Sequence, residues 1–347
     1  MSIGWAILGT GDFPENKVAP ALNLAEGSEL IAVLSRNLHR SQEFANKHGA
    51  KVGYDSIEAV LNDSRVDAVY IATPNHLHAP YSILASQAGK HVLMEKPIAL
   101  NMSDGLDVVL AARSNRVKLG VGFELRQHPG RIEAKNMVLT GTLGTVALAQ
   151  AQFGTGVRGA VHPVPRSGYS QWWVEPEQAG GAFAMMALGI HCVDDLQFML
   201  GQEVIELAAI TDGQNDDRPL ENLATLCLRF SRGTIGMVAT GFRMPNFDNL
   251  VSLYGSDGKI EFEEAYPPHT LQGKIKVSSE TVNTTVSYSS DGLLLVQRQI
   301  ESFNRAIQQG HEPAANGTDG LKAVQIIEAM IESAATGTPV KLKPLEI

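Results

Sequence analysis

The sequence contains only two cysteines in 347 residues, Cys192 and Cys227. Two thiols are too few for a disulfide framework or a cysteine-based zinc site. The sequence also lacks an apolar run long enough to cross a bilayer. Met1 is followed directly by a strand-like segment, rather than by a charged region, an apolar stretch and a cleavage site. These absences predict a cytoplasmic protein with no membrane span, no export signal and no metal centre.

Clusters of basic residues are missing as well. The 28 Lys and Arg residues are outnumbered by 37 Asp and Glu residues, and the formal net charge is −9. A nucleic-acid surface requires grouped Lys and Arg side chains, so this balance argues against DNA or RNA as a partner. Hydrophobic residues make up 44% of the chain, and its length predicts two domains. The expected partner is a small molecule.

A glycine-rich turn follows the first apolar segment, residues 3–8. Glycines at the first two positions of a dinucleotide fingerprint allow a tight turn and let backbone amides approach a pyrophosphate. The third position holds Pro14 instead of glycine or alanine, so the fingerprint is incomplete, although proline fits the first turn of a helix. The candidate phosphate-binding residues are Gly9, Thr10, Gly11, Asp12 and Phe13.

The second apolar segment, residues 29–35, ends in Ser35 and Arg36, with Arg40 one turn further on. An NAD-specific site places an acidic residue near this strand end to bind the ribose hydroxyls. An arginine instead suits a 2′-phosphate, because its planar fork binds two phosphate oxygens. We therefore interpret the cofactor as NADP, with NAD as the alternative. The competing interpretation is that Arg36 and Arg40 only solubilise the next helix.

Polar residues also follow two later apolar segments. Residues 67–72 lead into a Thr-Pro-Asn-His-Leu-His loop, and residues 91–94 lead into Glu95, Lys96 and Pro97. Charge placed directly after a buried strand lies at the carboxyl edge of a sheet, where open α/β folds bind ligands. This placement makes Lys96 a candidate proton-transfer group. The competing interpretation is a strand-end salt bridge between Glu95 and a distant cation.

The loop after residue 72 carries two histidines, His76 and His78, with no third metal ligand nearby in sequence. We interpret them as loop residues that line a nicotinamide pocket. Strands alternate with helices from the start of the chain to about residue 121. This alternation predicts an α/β fold with a doubly wound parallel sheet.

Together these motifs resemble the Gfo/Idh/MocA family, whose name combines glucose–fructose oxidoreductase, inositol dehydrogenase and a rhizopine-catabolism protein. The resemblance covers nearly the whole chain, and Glu-Lys-Pro in this spacing after Thr-Pro-Asn is a specific signal. The matching segments are the turn at Gly9 and Gly11, residues 72–78, residues 88–97, Arg126 to Pro129, residues 179–181, residues 189–194 and the tail from residue 297 to residue 340.

The resemblance implies a Rossmann domain in residues 1–122. In residues 123–347 it implies a substrate-binding α/β domain with a large, mostly antiparallel open sheet. The implied activity is hydride transfer between NAD(P) and a secondary alcohol or ketone of a sugar, polyol or glycoside. A homodimer or homotetramer formed through the open sheet is also implied. The further cofactor-binding residues that it implies are Thr73, Pro74, Asn75, His78, Glu95, Lys96, Pro97 and Arg126.

In this family the histidine at the His191 position works with the lysine at the Lys96 position as proton acceptor or donor. An aspartate normally stands four residues before that histidine, where this chain has Ala187. A methyl group cannot orient an imidazole or accept a hydrogen bond from a substrate hydroxyl. The alternative to an active enzyme is therefore a catalytically impaired NADP-binding regulator or sensor on the same fold.

Relatives often carry a Trp-Arg pair where this chain has Trp172 and Trp173. These rings either stack on a sugar or belong to the core, and the sequence favours neither interpretation. Side chains from elsewhere have to replace the missing aspartate, and the possible sources are Glu124, Tyr169, Glu175 and His162. The candidate substrate-binding residues are Lys96, Glu124, Tyr169, Trp172, Trp173 and His191.

Overall fold

The computed structural model describes residues 2–156, 168–245, 247–266, 271–280 and 282–345. The chain forms two compact units. The first contains Met1–Glu124 and Leu293–Val324, and the second contains Leu125–Gly292 and Gln325–Ile347. The sequence-based division after residue 122 lies close to the first boundary. The return of residues 293–324 to the first unit has no counterpart in that division.

Within the described residues, the first unit contains a six-stranded parallel sheet, which confirms the predicted doubly wound architecture. Its strands are β1 (Ile3–Leu8), β2 (Ser28–Leu34), β3 (Val52–Tyr54), β4 (Ala68–Ile71), β5 (His91–Met94) and β6 (Leu119–Val121). Their order across the sheet is β3-β2-β1-β4-β5-β6. The winding direction reverses between β1 and β4, and open α/β sheets bind ligands outside such a reversal.

Helices connect the strands of this sheet. They are α1 (Ala19–Leu24), α2 (Leu38–His48), α3 (Ile57–Asn62), α4 (His78–Gln87) and α5 (Met102–Ser114), and a π-helical turn at Pro14–Val18 precedes α1. The side chains of Asn37, Ser56 and Asn101 accept backbone N–H bonds at the starts of α2, α3 and α5. Such caps fix where each helix begins and therefore where each strand ends.

The described residues of the second unit form a nine-stranded sheet. Its strands are β7 (Val146–Gly154), β8 (Val204–Thr211), β9 (Leu223–Phe230), β10 (Ile235–Gly241), β11 (Val251–Gly255), β12 (Gly258–Glu263), β13 (Leu271–Ser279), β14 (Asn283–Ser290) and β15 (Val340–Lys341). Their order is β14-β13-β12-β11-β7-β10-β9-β8-β15. Of the described pairs, β7 with β10 is parallel and the others are antiparallel, which confirms the predicted mostly antiparallel sheet.

Helices of the second unit cover one face of this sheet. They are α6 (Pro129–Leu139), α7 (Pro176–Ala179) and α8 (Ile190–Leu200); 3₁₀ segments lie at Glu124–Gln127 and Gly168–Val174, and a π-helical turn at Met185–Gly189 precedes α8. Helix α8 packs against α6 and β7. Along β9, Leu226 and Leu228 are buried whereas Thr225, Cys227 and Arg229 are exposed. This alternation is typical of a sheet with one covered and one open face.

The last two helices are α9 (Gly292–Gln309) and α10 (Gly317–Thr336). In the first unit, Val296, Ile300 and Phe303 of α9 belong to the same buried apolar cluster as Trp5 of β1. Full burial of a large apolar side chain contributes about 1.5 to 3 kcal/mol relative to exposure, and this gain draws α9 onto the first sheet. None of the helices in the described ranges has the length and apolar character needed to cross a membrane.

Candidate functional site

The turn after β1 requires glycine at Gly9. Its φ of 119° lies in the left-handed region, and a Cβ there would lie 2.4 Å from the carbonyl oxygen of Ala72. Gly11 differs, because a Cβ at this residue would meet no described heavy atom within 4 Å. The space beside Gly11 is therefore open, at the position where the fingerprint brings backbone close to a phosphate.

Asp12 and Phe13 follow this turn and are exposed. The helical segment that they open continues with the N–H of Glu15 donating to the carbonyl oxygen of Gly11 over 3.0 Å. The first N–H groups of a helix have no partner within the helix, so they attract anions. Gly9 to Phe13 thus supply both the open turn and the helix start that a pyrophosphate requires.

The end of β2 brings the predicted ribose-side residues together. The Thr10 hydroxyl donates to the Ser35 hydroxyl over 3.3 Å, and both side chains are buried. The Arg40 guanidinium donates to the carbonyl oxygen of Thr10. Arg36 lies one residue beyond Ser35 and is exposed. The strand end thus presents hydroxyls and guanidinium groups, without a carboxylate at the position that NAD-specific sites use.

His78 holds two loops of the same sheet edge. Its Nδ1 lies 2.7 Å from the carbonyl oxygen of Pro97, and its Nε2 lies 3.0 Å from the carbonyl oxygen of Thr73. The side chain is 1% exposed, and burial lowers its pKa. His78 therefore connects the loops after β4 and β5, and a role beside the nicotinamide stays a prediction. Asn75 begins the 3₁₀ turn that follows Pro74, and its side chain is also buried.

Lys96 lies directly after β5 and is partly buried, and its peptide bond to Pro97 is cis. Burial lowers the pKa of its amine, and the charges of Glu95 and Glu124 oppose that shift. A lysine with a lowered pKa carries a larger neutral fraction near neutral pH, and only the neutral amine accepts a proton. The predicted proton-transfer group thus has electrostatics suited to that role.

Glu95 has partners that the sequence did not indicate. The hydroxyl of Tyr70, in β4, donates to Oε1 of Glu95 over 2.7 Å. The side-chain amide of Gln299, in α9, donates to the Tyr70 hydroxyl over 3.4 Å. A Cβ at Gly122 would lie 2.9 Å from Oε1 of Glu95, so the backbone after β6 approaches this carboxylate closely. The sequence left open a salt bridge between Glu95 and a distant cation. These contacts of Glu95 do not include one.

The carboxyl edge of the first sheet has the features that a dinucleotide site requires. The open space beside Gly11 leaves room for phosphate groups, and the guanidinium groups of Arg36 and Arg40 supply positive charge beyond β2. Lys96 follows β5. The winding reversal lies between β1 and β4, and β5 is the next strand after β4 in the sheet. The predicted cofactor residues of this unit therefore gather at one sheet edge.

The second unit carries the histidine that the sequence singled out. His191 is in the first turn of α8, is 9% exposed, and has its ring 6.3 Å from the ring of Phe153 in β7. Ala187 lies within the preceding π-helical turn, and its side chain is half-buried. Turns of π helix occur mostly as local insertions and are frequent at functional sites. In this chain the turn ends just before His191.

Glu221 fixes the start of that helical segment. Its carboxylate is fully buried and accepts the backbone N–H of Met185 over 2.8 Å and that of Phe183 over 3.1 Å. Burial raises its pKa, and the backbone hydrogen bonds oppose this shift. An acidic side chain at this end also complements the positive end of the helix dipole. No sequence motif pointed to Glu221, because its partners are more than thirty residues away in the chain.

Two buried arginines bind the aspartates that follow His191. Arg126 contacts both carboxylate oxygens of Asp194, the shorter distance being 2.6 Å from Nη2. Arg131 donates from Nε to both oxygens of Asp195 over 2.7 and 2.8 Å. The sequence suggested either aspartate as a neighbour of His191 and Arg126 as a cofactor ligand. The structure gives both aspartates guanidinium partners within the second unit.

The two tryptophans belong to a row of aromatic rings. Trp172 stacks on Trp173 with 4.3 Å between centroids, Trp173 meets the edge of Phe183, and Phe183 stacks on Phe242. Both tryptophans are partly exposed, whereas Phe183 is buried. The row thus has a buried ring, Phe183, between rings that are partly exposed, and both interpretations of the tryptophans stay open. His162 and the side chain of Tyr169 lie outside the described residues, and Glu175 is exposed.

Metal sites in proteins are commonly built from acidic, histidine and cysteine side chains. Within the part of the chain that the structure describes, no group of three or more of them has the arrangement of a metal site. The described chemistry is therefore that of the sheet edge in the first unit and of the α8 region in the second.

Comparison with known families supports the same interpretation. A sequence model described as an oxidoreductase family with an NAD-binding Rossmann fold matches residues 3–123, and its companion, described as the C-terminal alpha/beta domain, matches residues 135–342. Both carry the Gfo/Idh/MocA name, so the resemblance inferred from the motifs is confirmed. The predictions of an NAD(P)-dependent oxidoreductase and of an NAD(P) cofactor are confirmed as well.

Characterised relatives extend over the whole chain. The 1,5-anhydro-D-fructose reductase of Ensifer adhaerens is 26% identical over 348 residues, which cover 98% of each chain. The D-xylose 1-dehydrogenase (NADP(+)) 2 of Haloferax volcanii is 28% identical and covers 97% of this chain and 99% of its own. The crystal structure of aldose-aldose oxidoreductase from Caulobacter crescentus, complexed with glycerol, superposes with a TM-score of 0.86 at 25% identity, covering 99% of this chain and 100% of that one.

Proposed function

Because this chain belongs to the Gfo/Idh/MocA oxidoreductase family, we propose that it transfers a hydride between NADP and a carbinol or ketone carbon of a sugar, polyol or glycoside. The names of the full-length relatives support the carbohydrate class, since each acts on an aldose or an anhydro sugar. The observation that carries the proposal is the position of Lys96. It lies at the carboxyl edge of the cofactor-binding sheet, and burial lowers its pKa.

NADP is the proposed form of the cofactor. The support is the end of β2, where Ser35, Arg36 and Arg40 stand without an acidic residue. Arginine binds a phosphate monoester through two parallel hydrogen bonds, which a ribose hydroxyl does not offer. Replacing Arg36 by alanine should therefore weaken binding of NADPH more than binding of NADH. Equal losses for the two dinucleotides would remove Arg36 from the selection.

The bound nicotinamide supplies the site that accepts or donates the hydride. In the oxidative direction, the neutral amine of Lys96 takes the hydroxyl proton of the substrate as hydride leaves the carbinol carbon. In the reductive direction, its ammonium returns that proton to the developing alkoxide oxygen. Positioned acid–base catalysis of this kind contributes on the order of 10² to 10⁴ in rate.

His191 is proposed as the second proton-transfer group, with Glu124 and the aromatic residues Tyr169, Trp172 and Trp173 in substrate binding. The support for His191 is its placement just after the π-helical turn and its family position. Its side chain lies beside Phe153 and retains slight exposure. Support for the tryptophans is their partial exposure, because an exposed aromatic face can stack on the C–H face of a sugar ring.

The proposal is tested by following the absorbance of reduced nicotinamide with a panel of aldoses, anhydro sugars, inositols and keto-glycosides. The wild-type protein should turn over at least one of them. Lys96→Met should reduce kcat by about 10² or more while dinucleotide affinity changes little. Lys90→Met is the matched control, since Lys90 also lies in the first unit but bonds to the carbonyl oxygens of Asp63 and Val66. Equal turnover in the two variants would exclude Lys96 from the mechanism.

The alternative function is that of a nucleotide-binding regulator, and Ala187 is the observation that favours it. A regulator would bind NADPH with the affinity of an enzyme and would oxidise or reduce no member of the panel. Turnover of any panel member at a rate that Lys96→Met abolishes rejects this alternative.

We further propose that the protein forms a homo-oligomer through the open face of the second sheet. Met237 pairs with Cys227, which pairs with Ala208, so one exposed row crosses β10, β9 and β8. Met237 is 48% exposed, and Ile210, further along β8, is 77% exposed. Apolar residues grouped on one open face favour burial against a second copy.

Light scattering tests the oligomer. The double variant Ile210→Lys and Met237→Glu should lower the molar mass in solution to that of a monomer. Leu139→Lys is the control, because Leu139 is 59% exposed but lies on α6. A double variant with the wild-type mass would reject this face as the interface.

A further inference from the structure

A buried hydrogen-bond relay ends at the residue before Lys96. The Tyr70 side chain is fully buried in β4, and its hydroxyl donates to Oε1 of Glu95 over 2.7 Å. The side-chain amide of Gln299 donates to the same hydroxyl over 3.4 Å. The relay therefore runs from α9 through the middle of the sheet to its carboxyl edge, entirely within the first unit.

The carboxylate of Glu95 is held from more than one side. Tyr70 binds Oε1 from β4, and the backbone at Gly122 closes on both carboxylate oxygens from the end of β6, where a Cβ would lie 2.9 and 3.0 Å from them. A side chain at Gly122 would displace the carboxylate. The absence of that side chain and the presence of the phenol hydroxyl thus define one position for Glu95 beside Lys96.

We propose that Tyr70 is a positioning residue for the proton-transfer step, and that its hydroxyl holds the Glu95 carboxylate as the negative partner of Lys96. Gln299 orients the hydroxyl by donating to it, which leaves the phenol proton directed at Glu95. The inference rests on the proposed role of Lys96 in the reaction. In this proposal Tyr70, a buried residue of β4, helps to set the proton affinity of the Lys96 amine.

The charges around Lys96 support this role. Burial lowers the pKa of Lys96, and Glu95 and Glu124 counteract the shift. Burial lowers the pKa of His78, on α4, and the charge of Lys96 lowers it further, whereas its hydrogen bonds to the backbone of Pro97 and Thr73 oppose this shift. Burial raises the pKa of Glu95, whereas the hydrogen bond from Tyr70 and the charge of Lys96 lower it. The phenol hydroxyl therefore favours the ionised form of Glu95, and that charge favours the ammonium form of Lys96.

Removal of the Tyr70 hydroxyl tests whether Tyr70 acts on Lys96 through Glu95. In Tyr70→Phe the carboxylate of Glu95 loses a donor, so its protonated form becomes more populated and Lys96 loses part of its negative partner. The titration midpoint of Lys96 should then move to lower pH. If the hydroxyl only stabilises the core, its removal should lower the free energy of unfolding and leave the titration midpoint of Lys96 unchanged.

The titration can be measured without turnover. Lysines of the full-length protein are dimethylated with ¹³C-formaldehyde and followed by NMR against pH, with the Lys96 signal assigned from its loss in Lys96→Arg. Tyr70→Phe should move the Lys96 midpoint to lower pH. Tyr54→Phe is the matched control, because the Tyr54 hydroxyl also binds a carboxylate of the first unit, that of Asp63 over 3.1 Å. Its Lys96 midpoint should equal that of the wild type.

A second variant keeps the inference testable if Tyr70→Phe folds poorly. Gln299→Met leaves the phenol in place but removes the group that orients it, so a smaller shift in the same direction is expected. Unshifted midpoints in both variants would overturn the relay. The pH profile of kcat/KM should show the same displacement of its Lys96-dependent limb, with KM for the dinucleotide unchanged.

Failure of the relay and failure of the proposed reaction give different results. A lowered midpoint in Tyr70→Phe together with full turnover in Lys96→Met would uphold the relay and reject Lys96 as the proton-transfer group. An unshifted midpoint together with an inactive Lys96→Met would reject the relay and leave the proposed reaction intact.

Discussion

The imidazole of His78 bonds to the backbone of Pro97, with 2.7 Å between Nδ1 and the carbonyl oxygen. Because Nε2 lies 3.0 Å from the carbonyl oxygen of Thr73, one ring joins the loops that follow β4 and β5. The loop after β5 contains Lys96, and the loop after β4 follows a strand that borders the winding reversal. The geometry of the candidate cofactor edge therefore depends on a residue that is itself almost fully buried.

The first prediction concerns this link. His78→Ala should lower the free energy of unfolding by about 1 to 3 kcal/mol, because it removes the one N–H that a neutral imidazole donates and leaves a buried carbonyl oxygen without its donor. It should also weaken NADPH binding, since the loops lose their common support. His78→Asn, which keeps a donor near the Nδ1 position, should restore part of both losses. Urea denaturation and fluorescence titration measure the two effects, with the exposed His39→Ala as control.

The pH dependence of stability gives the sign of the His78 contribution. Burial lowers its pKa in the folded protein below the ordinary value of 6.5. The unfolded chain therefore binds a proton more readily, so the contribution of His78 is complete above pH 6.5 and is lost as pH falls towards the folded value. His78→Asn should flatten this part of the stability curve. If the stability of His78→Asn changes with pH as steeply as that of the wild type, His78 is not the group responsible for this pH dependence.

Local patterns in the sequence were sufficient for the first sheet. Each apolar segment ended in a glycine turn, a hydroxyl or a charge, and the structure places Gly9, Ser35, Thr73 and Lys96 at the carboxyl ends of β1, β2, β4 and β5. This was possible because a continuous apolar segment, its length and the turn or charged residue after it are all properties of a short stretch of chain. Parallel order then follows from the helical crossovers.

Contacts between distant residues could not be predicted in the same way. Tyr70 lies in an apolar strand and has the sequence context of an ordinary core residue, so its bond to Glu95 was missed. Glu221 belongs to no motif, and its function depends on the backbone of Met185, which is 36 residues away. The motif match in the tail from residue 297 did not indicate the sheet on which α9 packs. These relationships arise from tertiary packing, which no local window of sequence contains.

The second prediction separates two glycines of one turn. Gly9→Ala should destabilise the protein by more than about 1 kcal/mol, because the residue has a φ of 119° and its Cβ would strike the carbonyl oxygen of Ala72. Gly11→Ala should leave stability within about 0.5 kcal/mol of the wild type, because among the described residues nothing lies within 4 Å of its Cβ. It should instead raise the Kd for NADPH by about tenfold or more, which corresponds to about 1.4 kcal/mol.

Thermal unfolding and dinucleotide titration of the two alanine variants test this separation. Each variant is the control for the other, since both add one methyl group to the same turn. Normal NADPH binding by Gly11→Ala would show that the open space beside Gly11 does not receive the phosphates. Unchanged stability of Gly9→Ala would contradict the conformational requirement.

The third prediction concerns the cap of the helix that carries His191. Glu221→Ala should lower the free energy of unfolding by about 1 to 3 kcal/mol for each backbone N–H left unsatisfied, at Phe183 and Met185. The same change should reduce turnover, because the start of the helical segment then frays. Glu177→Ala is the control, as Glu177 is exposed on α7.

The ionisation of Glu221 adds a pH signature. Burial raises its pKa in the folded state above the ordinary value of 4.5, so its contribution to stability is present below pH 4.5 and is lost as pH rises through the folded value. Glu221→Gln cannot ionise and should lack this loss. If the free energies of unfolding of the wild type and Glu221→Gln change with pH in parallel above pH 4.5, the pKa of Glu221 is not raised in the folded state.

The fourth prediction concerns the pairing of Arg126 with Asp194. Both side chains are buried, and the shortest contact is 2.6 Å, so removal of one partner leaves a buried charge. Asp194→Leu or Arg126→Met should each cost about 3 to 5 kcal/mol of stability, whereas the double variant should recover most of that loss. Arg229 and Glu206 provide the exposed control pair, for which single changes should cost about 1 kcal/mol or less. Urea denaturation of the four proteins of the double-mutant cycle gives the coupling energy directly. A double variant as unstable as the sum of its singles would mean that the two side chains stabilise the second unit independently of each other.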